Sequence, residues 1–174
     1  YSKNLIQKLN SKDYKYIAHA GGGIEGKIYT NSLEAITNSI NLGYKLIEID
    51  LRETNDDVFV GVQSWAKFKK DTNFTDNNPD INSAISYKDF KNLKIFNKYK
   101  PVDTNIINDI FQNNKDLIFI TDKSNNFKKI YNDFKFDKSR IIVEVFGKKN
   151  FRKAVNKGIL NIAYAFHSSE YKFV

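Results

Sequence analysis

The chain has 174 residues, with 28 Lys and Arg against 20 Asp and Glu for a formal charge of +8, and it contains neither Cys nor Met. That length allows one domain with a substantial core but falls short of the roughly 250 residues of a full eight-fold βα barrel. The missing cysteines exclude a disulfide framework and a thiolate metal site, and no apolar run approaches the roughly 20 residues of a membrane-spanning helix.

The first residues lack the apolar core of a signal peptide, which leaves open one removed before residue 1. With no Met at position 1, the chain is expected to be a processed or excised segment of a longer protein. The compartment stays open, with the cytoplasm favoured, and no feature of the sequence speaks to oligomeric state. Positive charge suggests anionic partners such as phosphates, nucleic acid or lipid head groups. The basic residues, however, are nearly all Lys spread along the chain beside Asn and Ile. That pattern favours a solvated surface, and no nucleic-acid partner is expected.

Leu5, Ile6 and Leu9 predict a short amphipathic helix over 2–10. Tyr16 to Ala20 is a short apolar run ending at Gly21-Gly22-Gly23, a strand closing in a flexible rim. Asn31-Ser32-Leu33-Glu34 has the form of a capping box with Asn31 at the N-cap, and Leu33, Ile36 and Ile40 carry the helix to Gly43. Leu46 to Leu51 predicts a buried strand on which Glu48 and Asp50, two apart, share one face.

An extended arm follows at Val58–Val62, with Trp65 and Phe68 at the rim. Residues 66–100 are polar and too long for a plain connection, so they predict an excursion over the active face around a short helix at Ser86–Leu93. A helix after Asp103-Thr104 is expected, then a strand at Leu117–Thr121, a helix at Phe127–Phe134 and a strand at Ile141–Phe146. A helix at Asn150–Lys157 and a fifth strand at Leu160–Phe166 end the series. This alternation implies an α/β fold with a parallel sheet.

His19, Glu48 with Asp50, Asp122 with Lys123, Glu144 and His167 fall in or just after the C-terminal parts of those strands, the edge that carries chemistry in βα folds. Glu48, Asp50 and Asp122 supply three carboxylates for a hard cation; the alternative is salt bridges to Arg52, Lys45 or Lys123. His19 is suited to general acid or base work. Gly21 and Gly22 present amides to a phosphate or simply make a turn. Lys123 is a phosphate clamp or a solvated lysine.

Ile17-Ala18-His19-Ala20-Gly21-Gly22, Tyr29-Thr30-Asn31-Ser32-Leu33-Glu34-Ala35, Gly43 and Glu48-Ile49-Asp50 together resemble the opening of the glycerophosphodiester phosphodiesterase family. That family lies within the wider group related to phosphatidylinositol-specific phospholipase C. The likeness covers residues 16–65 and runs in register through Asp122. It implies a TIM-type (β/α) barrel, here incomplete or trimmed to about five βα units, spanning 1–174 as one domain. It also implies a divalent cation, Ca²⁺ or Mg²⁺, and hydrolysis of a small-molecule phosphodiester with histidines as acid and base.

Four departures stand out. Ala20 replaces an Arg of the family, Thr30 replaces a Glu, and Asp122 with Lys123 stands in for Glu-x-Lys. Gln63 occupies the place of the second catalytic histidine. Gln63 can hydrogen-bond a phosphate but carries no proton at a useful pKa. His167 is the candidate to supply that proton, and a module that binds a phosphorylated ligand without turnover is the competing expectation.

Overall fold

The computed structural model describes residues 3–75 and 77–165. After helix α1 (Lys3–Leu9), five parallel strands alternate with helices: β1 (Ile17–Ala18), α2 (Leu33–Asn41), β2 (Leu46–Glu53), then β3 (Phe59–Gly61) with α3 (Trp65–Thr72), α4 (Tyr87–Asn92) and α5 (Thr104–Asn113). The series continues with β4 (Ile118–Asp122), α6 (Phe127–Asp133), β5 (Ile141–Phe146), α7 (Gly147–Asn156) and β6 (Ile162–Ala165). The parallel strands lie in the order β1-β2-β4-β5-β6 and curl into a half-barrel, while β3 turns back antiparallel on the end of β2. Among the described residues no helix is long and apolar enough to cross a membrane.

The period of two along each strand sorts the core into two layers. Ile47, Ile49 and Leu51 of β2, Phe119 of β4 and Val143 of β5 face the helices, where they meet Ile36, Ile107, Phe111, Ile130 and Ala154. Leu46, Ile118, Ile120 and Ile142 face the other way and are covered by Leu5 of α1. On that second face, Glu48 and Asp50 continue the column begun by Leu46, and Asp122 continues the column of Ile118 and Ile120. The inner face is therefore apolar at its base and acidic at the C-terminal ends of its strands. The excursion 66–100 packs a smaller core against β3, in which Val60 and Trp65 meet Phe68, Phe90 and Ile95.

Three expectations need correction. The first strand is only two residues long, because Ala20 adopts φ 50° inside a tight turn over His19–Gly21, and an extended chain cannot continue through that angle. The cap of α2 is Ser32, whose side chain accepts from the Ala35 N–H. Asn31 has φ 47° and is buried elsewhere, and Glu34 accepts from the Lys100 N–H instead of closing a capping box. Trp65 and Phe68 begin a full helix capped by Ser64. His167 lies outside the described residues.

Candidate active site

The register of the sheet assembles the acids. β2 and β4 run parallel with Asp50 directly opposite Asp122, so Glu48, Asp50 and Asp122 converge from two neighbouring strands. All three are buried, and one carboxylate oxygen from each lies within 4.8 Å of the others. Oxygens that each sit about 2.4 Å from a Ca²⁺ ion are separated by at most about 4.8 Å, so the spacing suits a hard cation.

Hydrogen bonding hands some of these oxygens to the protein and leaves others without a partner. Glu48 Oε2 accepts from the Ala20 N–H at 2.7 Å, which is what the left-handed turn after β1 achieves. Asp50 Oδ2 accepts from Asn31 Nδ2 at 2.9 Å, while Asn31 Oδ1 accepts from the Asp50 N–H at 3.0 Å. Glu48 Oε1 and Asp122 Oδ1 are buried and accept no hydrogen bond from any described residue. Buried acceptors of that kind are destabilising unless an ion or water fills the seat, and the donor set fits a divalent cation.

Among the described residues, the one lysine or arginine paired with these acids is Lys123. It adopts φ 62°, and its Nζ pairs with Asp122 Oδ2 and lies 3.3 Å from Asp50 Oδ1. One ammonium does not balance the cluster. Burial, helped by the charges of Asp50 and Asp122, pushes the Glu48 carboxyl up to about 8 despite the Ala20 N–H. Burial also raises Asp122, against the pull of Lys123. Burial pulls the Lys123 ammonium down, but its hydrogen bond to Asp122 and the charges of Asp122 and Asp50 outweigh this and hold it up. Glu144, on β5 beside Asp122, is raised by burial and by that neighbour.

His19 stands at the rim. Its Nε2 is 3.7 Å from Glu48 Oε2, its side chain is 60% exposed, and its ring meets Tyr29 edge-on at 5.0 Å. Solvent can therefore reach it, with Glu48 and Tyr29 against the ring. Gly21 and Gly22 have a packing role: a Cβ on Gly21 would come within 2.8 Å of Ile36, and one on Gly22 within 2.1 Å of Ser39 Oγ. The Gly22 N–H is engaged by the His19 carbonyl at 2.8 Å. Gln63 follows β3, and its carbonyl accepts from Arg52 Nε at 3.0 Å. No hydrogen bond joins its side chain to the acids among the described residues.

Asn31 and Tyr29 are the positions whose tasks the sequence did not disclose. Two residues in a row, Asn31 and Ser32, are good caps, and only one can serve. That redundancy was the available signal that Asn31 had other work.

Half a βα barrel with an acidic seat and a histidine at the C-terminal mouth of its strands places the chain among barrel-type α/β proteins whose chemistry sits on that edge. No family model matches the chain, and no curated protein matches it. Solved structures do. One is assigned as a glycerophosphodiester phosphodiesterase from Galdieria sulphuraria, at TM-score 0.71 and 16% identity over 88% of this chain and 65% of that one. Another is a glycerophosphoryl diester phosphodiesterase from Parabacteroides distasonis, at 0.63 and 18%, over 87% and 57%. A third is a glycerophosphoryl diester phosphodiesterase domain from Mycobacterium tuberculosis, at 0.61 and 15%, over 84% and 58%. At such identities the likeness is one of fold, and the chain spans less than two thirds of the length of these structures.

Proposed function

We propose that the chain is a divergent glycerophosphodiester phosphodiesterase: a metal-dependent hydrolase of a small glycerophosphodiester-like substrate. The observation that carries this reading is the pair of unpartnered buried oxygens, Glu48 Oε1 and Asp122 Oδ1, next to His19. Glu48, Asp50 and Asp122 would hold a Ca²⁺ or Mg²⁺ ion. When bound, that ion neutralises charge on the phosphate oxygens.

In the reaction a water oxygen bonds to phosphorus as the ester P–O bond breaks. The proton from water passes to His19 Nε2, and the leaving alcohol takes one from a second carrier, for which His167 is the proposed residue. Lys123 clamps a phosphate oxygen and Gln63 contributes a contact to the same group, while Gly21 and Gly22 border it through the tight turn that their packing allows. On this reading residues 1–174 act as one barrel-type domain, with 66–100 folded over its mouth.

Glycerophosphodiesters assayed with Ca²⁺, Mg²⁺ or chelator provide the test. Metal-dependent turnover that falls by about 10²–10⁴ in His19→Ala supports the reading. Gln63, standing where a second histidine is expected, favours a second one: a phosphate-binding module without turnover. An inactive wild type that gains activity as Gln63→His supports that alternative.

A further inference from the structure

Beside the acidic seat lies a second cavity, of about 460 Å³, lined by Arg52, Lys123, Lys128, Lys153 and Lys157 with Glu53 as its one acid. The two adjoin at Lys123, which lines the cavity and whose Nζ touches the carboxylates of Asp122 and Asp50.

What sets these lysines apart is where they gather: four of them and an arginine line one hollow beside a single acid. Lys128, Lys153 and Lys157 have no carboxylate partner among the described residues, although three like charges around one hollow repel each other. Arg52 is oriented by its hydrogen bond to the Gln63 carbonyl. Glu53 offers a buried Oε1 that accepts no hydrogen bond from any described residue, which suits a hydroxyl donor rather than a second anion.

We infer that this cavity is a subsite for a second phosphate carried by the substrate on the alcohol side of the scissile bond, joined to it by a polyol whose hydroxyl reaches Glu53. This rests on the phosphodiesterase reading and narrows it. The preferred substrate is a diester whose leaving alcohol is itself a phosphorylated polyol, as in short glycerol phosphate oligomers. Binding energy from that remote phosphate would hold the diester over the seat.

The probes are glycerophosphoglycerol and the same compound bearing a terminal phosphate. The expected result is a kcat/KM at least about tenfold higher for the phosphorylated probe. That preference should fall to within about twofold of unity in Lys128→Gln/Lys153→Gln and persist in Lys128→Arg/Lys153→Arg. Equal kcat/KM for the two probes in the wild type overturns the assignment. So does a preference that survives the double Gln variant. If neither probe is turned over, the hydrolase reading fails, and calorimetry with the same pair decides the subsite. Tighter binding of the phosphorylated probe, lost in the Gln variant, supports it, and equal binding refutes it. Acceleration of the plain probe by inorganic phosphate would make the cavity an effector site for detached phosphate, and that outcome also overturns the assignment.

Discussion

Without a divalent ion, stability should fall as pH rises from about 4.5 to about 8, and Glu48 should be a principal cause. In the folded chain its carboxyl holds a proton up to about 8, whereas in the unfolded chain it releases one near its ordinary value of 4.5. Between those limits the native state binds more protons than the unfolded state. The linkage relation then gives a negative slope of unfolding free energy with pH. The contribution is complete below 4.5 and gone above 8. At about 1.4 kcal/mol per pH unit, lifting the pKa from 4.5 to about 8 is worth at most about 5 kcal/mol. Asp122, also raised by burial, acts in the same direction.

The assay is denaturant unfolding at pH 5, 6, 7 and 8 in chelator, on wild type and Glu48→Gln. The amide keeps the shape of the carboxyl but cannot ionise, so the difference between the two pH slopes isolates Glu48. Millimolar Ca²⁺ should flatten the wild-type slope, because the ion favours the ionised acids; at 100 times Kd, ligand binding adds about 2.7 kcal/mol. Identical slopes for the two proteins in chelator would refute the reasoning.

Other perturbations have equally direct readouts. Asn31→Ala removes both hydrogen bonds that orient Asp50; Ca²⁺ or Mg²⁺ affinity by calorimetry should drop about 10- to 100-fold. Gly22→Ala places a methyl against Ser39 Oγ at φ 94°, and denaturant unfolding should show a loss of about 1–3 kcal/mol. Arg140 is buried and donates to the carbonyls of Phe111 and Asn114 at the end of α5 and of Leu117 just before β4. Arg140→Met should destabilise the fold by about 2–4 kcal/mol, seen as a lower urea midpoint.

Much of this architecture was legible because it rests on short-range rules. The alternation in Leu46-Ile47-Glu48-Ile49-Asp50 placed two acids on one face before any partner strand was known, and Asp122 at the end of the next parallel strand was the natural third. What stayed hidden depends on contacts between distant segments. Asn31 looked like a cap because its local chemistry is that of a cap; only the approach of β2, some nineteen positions on, gives it Asp50 instead. The helix beginning at Trp65 was masked by Lys67, Lys69, Lys70 and Asp71, which dilute its apolar face to Trp65 and Phe68, and the cap at Ser64 was its one clear signal. The glycines after His19 drew attention as phosphate cradles, yet their tight spacing to Ile36 and Ser39 lies on the opposite element and is invisible in the local string.

Lys123, bent into the acid cluster by its left-handed backbone, has a consequence for ion choice. An ion seated on Glu48 Oε1 and Asp122 Oδ1 arrives beside an ammonium that already satisfies part of the negative charge, so occupancy is decided by competition with that ammonium rather than by simple attraction. Sodium or potassium would swap one unit charge for another and give up a tethered partner, with little to gain. A doubly charged ion leaves a net surplus of attraction and frees the lysine to swing toward an arriving anion, so loading of the site and readiness for phosphate would come as one event.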